Sequence, residues 1–236
     1  MAATAERAKV VAAQRAVEAA VRPGVRLALG TGTTAAEAVR AIAARFPDGR
    51  FDCVASSRAT ELLARQLGLA VRPLRADDRF DVMIDGADEV SRSLDLTKGG
   101  GGALLREKLL AHLSRELLVV VDPTKLVDRL GSRAPIPVEV VPFARPALQR
   151  ELADDGFRVT ARTDPRGAPF LTDNGNEILD LVPSAPLADP ASTAARIRAR
   201  VGVVETGLFV GLARRVYVGH PDGHVEELEP PAAARA

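Results

Sequence analysis

The stretch TKGGGGALLREK, residues 97–108, sets a lysine and a run of four glycines just ahead of a glutamate. Glycine loses more conformational freedom on folding than any other residue, so such a run belongs where backbone must come very close to another group. Lys98 at its entrance can meet an anion held over Gly99, Gly100 and Gly101. Glu107 follows on a helical pattern over 103–113. Steps of about 100° per residue place it amid Ala103, Leu104, Leu110 and Ala111. Leu105, Leu109 and Leu113 form a second apolar arc, and Lys108 and His112 a polar one. A helix with apolar arcs on two sides is expected to be largely buried. A carboxyl desolvated in this way has a pKa above the ordinary ~4.3, which suits a general base near neutral pH. The competing reading is a glutamate paired with Arg106, Lys108 or another basic group.

Other polar residues collect in one recurrent place, the end of each apolar run. VRLALG (25–30) is followed by Thr31, Gly32, Thr33 and Thr34, and FDCVAS (51–56) by Ser56, Ser57 and Thr60. FDVMID (80–85) ends in Asp85, Gly86, Ala87, Asp88 and Glu89, and LLVVVD (117–122) runs into Pro123, Thr124 and Lys125. In open parallel sheets, ligands bind at the carboxyl ends of the strands, so four such clusters argue for one shared site. GTGTTA (30–35) formally matches a dinucleotide fingerprint. That motif requires an acidic residue where this chain has Ser56 and Ser57. Small hydroxyls and open amides at a helix start fit a phosphate instead, with Thr34 placed to cap and Thr31 and Thr33 facing the ligand. Two lysines, two aspartates, a buried glutamate and these loops describe a site for a small phosphorylated polyol. No metal constellation is present: His112, His220 and His224 are not spaced as a ligand set.

The elements that must position these residues alternate. Each run is followed by a helical pattern: 35–46, 59–68, 103–113, and the PTKLVDRLG segment. This order predicts a parallel sheet covered on both faces. Beyond 131 the pattern changes to strand, helix (RPALQRELADDG), strand (FRVTART), a hairpin signal at Asn174-Gly175, and helix (STAARIRARVG). The expected architecture is α/β: a mainly parallel, Rossmann-like sheet domain over 1–130 plus 205–236, and a smaller α+β, ferredoxin-like domain over 131–204.

Bulk properties narrow the function classes. With 27% charged residues and net charge +1, nothing calls for nucleic acid or a membrane surface as partner. The N-terminal segment reads as an amphipathic helix ending before Pro23 rather than a leader, and a cytoplasmic location is expected. The single cysteine, Cys53, reads as a core residue. Lysine occurs only at 9, 98, 108 and 125 among 32 basic residues, so a retained lysine hints at a required ammonium. Lys9 is taken as chance.

GTGTT, DGADE, KGGGGALLREK and VDPTK, in this order and spacing, resemble the type A ribose-5-phosphate isomerases, as does TDNGN at 172–176. The resemblance implies an aldose–ketose isomerisation of ribose 5-phosphate and ribulose 5-phosphate without metal or cofactor, in a homodimer or homotetramer. It matches Glu107 to the proton acceptor. It matches Thr31 to Thr34, Asp85 to Asp88, Lys98 to Gly101, and Lys125 to the substrate-binding segments. Thr33 replaces the family's usual serine and keeps the hydroxyl. Two alternatives share the fold. An acyl-coenzyme A transferase would use the glutamate as nucleophile and need a longer or two-part chain. A sugar-phosphate sensor would need an added DNA-binding segment.

Overall fold

The computed structural model describes residues 2–49 and 51–231. In chain order its elements are α1 (Ala2–Ala20), β1 (Arg26–Leu29), α2 (Thr33–Arg45), β2 (Asp52–Ala55), α3 (Arg58–Gln66), β3 (Phe80–Asp85), β4 (Glu89–Val90), β5 (Leu96–Thr97), α4 (Leu104–Leu113), β6 (Ser114–Val121), β7 (Ile136–Val140), α5 (Arg145–Asp154), β8 (Phe157–Ala161), β9 (Glu177–Pro183), α6 (Pro190–Arg198), β10 (Val203–Thr206), β11 (Leu208–Phe209), β12 (Ala213–Gly219) and β13 (Val225–Leu228). Two compact units emerge. The first comprises Met1–Ala87, Arg106–Leu126 and Gly211–Ala236, the second Asp88–Leu105 and Val127–Val210. The second unit therefore takes in 88–105, 127–130 and 205–210, which the sequence alone assigns to the first domain. Backbone pairing explains the grouping: β5 pairs with β4 on one side and β11 on the other, and the Val127 amide donates to the Val90 carbonyl.

In the first unit the sheet order is β13-β12-β6-β3-β1-β2, parallel throughout except for the β12–β13 edge. Its strands are apolar on both faces because helices cover them. Leu27, Leu29, Val82, Ile84, Leu118, Val120 and Tyr217 pack with Ala12, Ala16, Val17, Val39 and Ile42 of α1 and α2. The alanines of α1 permit a close approach to β12, where a Cβ at Gly219 would lie 2.0 Å from the Ala8 carbonyl oxygen. From Gly211 the chain returns to this sheet. Cys53 is fully buried, and burial pushes its thiol up to about 12, so it behaves as core.

The second unit holds an antiparallel sheet, β10-β7-β9-β8, whose core includes Val138, Val140, Leu179 and Leu181 with Leu148 and Leu152 of α5 and Ile197 of α6. A separate small sheet, β11-β5-β4, escapes sequence reading because two-residue strands show no period. Two other expectations need correction. PTKLVDRLG forms only a 3-10 turn, Pro123–Lys125, where Asp122 accepts from the Thr124 amide and Pro123 starts the turn. The turn at Asn174-Gly175 exists, with Gly175 at φ 79°, but its first arm is no strand and the ladder runs between β8 and β9. Glu139 on β7 organises that turn, accepting from the Thr172 hydroxyl (2.9 Å) and the side-chain amides of Asn174 (3.1 Å) and Asn176 (2.8 Å). No helix among the described residues is long and apolar enough to cross a membrane.

One ion-pair network makes the first unit's stability depend on pH. Arg72 bridges Asp52 (2.5 and 2.8 Å) and the buried Asp78 (2.6 and 2.7 Å). The Arg72 guanidinium, with the Arg75 amide, holds the Asp78 carboxyl down to about 2. Because the folded value lies below the unfolded one, this stability is present above the ordinary carboxylate range and drains away as pH falls toward about 2. Urea midpoints measured from about pH 5 downward should fall more steeply for the native chain than for Arg72→Met. Parallel curves would remove the network from this role.

Candidate active site

Since β1, β2, β3 and β6 run parallel, their carboxyl ends share one edge of the first unit's sheet. Asp85 closes β3 there, fully buried, its Oδ1 accepting from the amides of Thr31 (3.0 Å) and Gly86 (2.8 Å). Gly30 makes this possible, as a Cβ there would sit 2.2 Å from the Asp85 carboxyl carbon. The Thr31 hydroxyl joins Ser56 (2.7 Å), Ser57 (2.9 Å) and Thr60 (3.3 Å), and Thr60 donates on to the Gly30 carbonyl (2.8 Å). The first and second clusters are thus one hydroxyl network.

The helix α2 begins at Thr33, two residues earlier than the sequence suggests, and its N-cap is Gly32 at φ 103° rather than Thr34. Glycine alone tolerates that conformation readily, and it brings no side-chain oxygen to the first amides. The Thr33 hydroxyl instead receives the ammonium of Lys9 at 2.9 Å. Lys9, which the sequence reading leaves to chance, thus touches the first residue of α2. Thr34 lies beside Gly86, and Gly86 and Ala87 are half-buried. Lys125 ends the 3-10 turn after β6, its amide donating to the Asp122 carbonyl (3.1 Å).

Glu107 lies in the first turn of α4. This helix lies in the crossover from β3 to its parallel neighbour β6 and leads directly into β6. Glu107 is 3% exposed, as the wheel anticipates, and Leu104, Leu110 and Ala111 are buried with it. The second half of that expectation fails. Leu109 is 46% exposed, Leu105 and Leu113 are half-buried, and Lys108 is buried. A wheel shows which residues share a face, but packing decides which face is covered.

The remaining predicted residues belong to the second unit. Lys98 is 2% exposed, its amide donating to the Gly207 carbonyl (2.8 Å) and its ammonium lying 5.4 Å from the Phe209 ring centroid. Asp88 accepts from the Gly100 amide (2.8 Å) and donates its own to Thr97 (2.8 Å). Gly99 and Gly102 adopt φ of 104° and 81°, and the Gly102 amide closes the loop on the Gly99 carbonyl. Glu89, the last acid of DGADE, turns inward. It accepts from the amides of Gly131 (2.6 Å), Arg133 (2.6 Å) and Ala134 (3.0 Å) and from the Thr97 hydroxyl (3.3 Å). The two units thus divide the predicted residues: Thr31 to Thr34, Asp85 to Ala87, Glu107 and Lys125 in the first, Asp88 and Lys98 to Gly101 in the second.

The comparisons with known proteins agree with one another. Residues 52–223 match the family model of ribose 5-phosphate isomerase A (phosphoriboisomerase A). The chain is 49% identical over 220 residues to the ribose-5-phosphate isomerase A of Thermomicrobium roseum, covering 92% of each. It resembles the solved ribose 5-phosphate isomerase A of Methanocaldococcus jannaschii with a TM-score of 0.87 at 36% identity, covering 94% of this chain and 97% of that one. A solved D-ribose-5-phosphate isomerase in complex with phospho-erythronic acid gives a TM-score of 0.89 at 34% identity, covering 95% and 99%. The chain belongs to the ribose 5-phosphate isomerase A family, whose members are aldose–ketose isomerases.

Proposed function

We propose that the chain interconverts D-ribose 5-phosphate and D-ribulose 5-phosphate through a cis-enediolate, with Glu107 as the base. The observation that carries the mechanism is a buried carboxylate in the first turn of α4, the helix that leads from the glycine loop into β6. Glu107 takes the proton from C2 of the open-chain sugar and returns it to C1, while the hydroxyl proton at O2 passes to O1. A low-dielectric setting strengthens every charge that acts on the intermediate. Lys98 and the amides of Gly99 and Gly101 offset the charge that develops on the sugar oxygens, while Asp88 holds the Gly100 amide between them. Asp85, with Gly86, Ala87 and Asp88, reads sugar hydroxyls. Thr31, Gly32, Thr33 and Thr34 hold the phosphate at the start of α2, where the amides point outward from a glycine N-cap. Lys9, on Thr33, and Lys125 supply cations. The phospho-erythronic acid complex of a relative supports a sugar-phosphate substrate, since that ligand has a phosphate and a planar pair of carboxylate oxygens resembling those of an enediolate.

The same reading makes this a cytoplasmic enzyme of the non-oxidative pentose phosphate branch, acting as a homodimer or homotetramer without metal or cofactor. Ribose 5-phosphate should be converted to ribulose 5-phosphate by protein treated with EDTA at the rate of untreated protein. No conversion at all would overturn the assignment, and a loss specific to EDTA would show that a metal takes part.

A further inference from the structure

Four glycines in a row have no side chains with which to fix their own peptide planes, so their orientation must come from outside the loop. In the second unit Arg162, just beyond β8, reaches that loop. Its Nη1 donates to the carbonyls of both Gly99 and Gly100, each at 3.0 Å. The guanidinium is itself held in a two-point pairing by Asp180 of β9, Nε to Oδ2 at 2.8 Å and Nη2 to Oδ1 at 2.5 Å. Backbone bonds anchor the segment: the Arg162 amide donates to Ile178, and the Phe170 amide to the Arg162 carbonyl. Phe170 lies under the guanidinium, 5.7 Å from its central carbon, and its ring covers Gly102 so closely that a Cβ there would be 2.5 Å away. From the other direction Asp88 takes the Gly100 amide.

We propose that Arg162, locked by Asp180, is a positioning residue that sets the peptide planes of the glycine loop and so aims its amides at the substrate's oxygens. In a trans peptide the carbonyl and the following N–H point in opposite directions. Turning the Gly100 carbonyl toward Arg162 therefore turns the Gly101 amide away from it. Asp88 fixes the Gly100 amide while Arg162 fixes the carbonyls, so the loop is clamped on both of its hydrogen-bonding sides. Only a planar fork can hold Asp180 with one edge and two carbonyls with another, so lysine is not an equivalent. This rests on the proposed reading that Gly99 and Gly101 contact the substrate.

The test compares Arg162→Lys, Arg162→Met and Asp180→Asn with the native full chain, with thermal melting as the check on folding. Amide aim matters most when charge develops on the oxygens, so kcat for ribose 5-phosphate should fall about 10- to 100-fold with KM changed less than about threefold. Affinity for phospho-erythronic acid should fall in step with kcat. Affinity for ribitol 5-phosphate, which has the phosphate but no planar oxygen pair, should stay within about threefold. Should Arg162→Met not fold, Arg162→Lys and Asp180→Asn give the same readings. Unchanged kcat, or equal weakening of both ligands, overturns the positioning role. Failure of the native chain to convert ribose 5-phosphate would instead overturn the proposed function, so the two failures are distinct.

Discussion

Glu107→Gln should lower kcat for ribose 5-phosphate by about 10³-fold, within the range expected when a positioned general base is lost. Glutamine has the same length and nearly the same volume, so it fills the buried site on α4 without a cavity. What it lacks is a basic oxygen, because an amide does not accept a proton at neutral pH. Melting temperature and affinity for ribitol 5-phosphate should therefore change little, and exchange of the C2 hydrogen with solvent should stop along with turnover. Activity within about tenfold of the native chain would remove Glu107 from the base role, since a contribution that small falls below general base catalysis.

Glu89→Ala should cost about 3–5 kcal/mol in folding stability, read from urea unfolding. Glu89 is 1% exposed and is the common acceptor for the amides of Gly131, Arg133 and Ala134. Each buried amide left without an acceptor costs about 1–3 kcal/mol, partly offset by no longer burying a charge. Glu89→Gln should also destabilise, because one half of the side chain becomes a donor facing donors. The loss is a large share of the roughly 5–15 kcal/mol that holds a typical domain together. A change below about 1 kcal/mol would mean that the 131–134 segment finds other partners.

What the sequence disclosed depended on the range over which each signal acts. Helices and long apolar strands announced themselves because their periods repeat, and β1, β2, β3 and β6 lie where their apolar runs predict. The burial of Glu107 was legible because its neighbours on the wheel are apolar. Lys108 and Leu109 were not, because exposure is decided by what else packs on a helix. The clamp of Arg162 and Asp180 joins residues far from the glycines in sequence, and neither carries a local mark. DGADE showed the opposite limit. Its residues are adjacent, yet Asp85, Asp88 and Glu89 serve different partners, because alternate positions on an extended chain face different ways.

The pairing of β6 with β12 has a consequence for how the protein is made. Residues 122–212 separate these two neighbouring strands in the chain. At about 5–20 residues per second, β12 leaves the ribosome roughly 5–20 s after β6. During that interval LLVVV has β3 but not β12 as a partner within reach, and an edge left open there is wholly apolar. The nascent enzyme thus passes through a stage in which chaperone capture and mispairing compete with its own last strand. Slower translation over 122–212 should lengthen that exposure without changing a single contact of the finished fold.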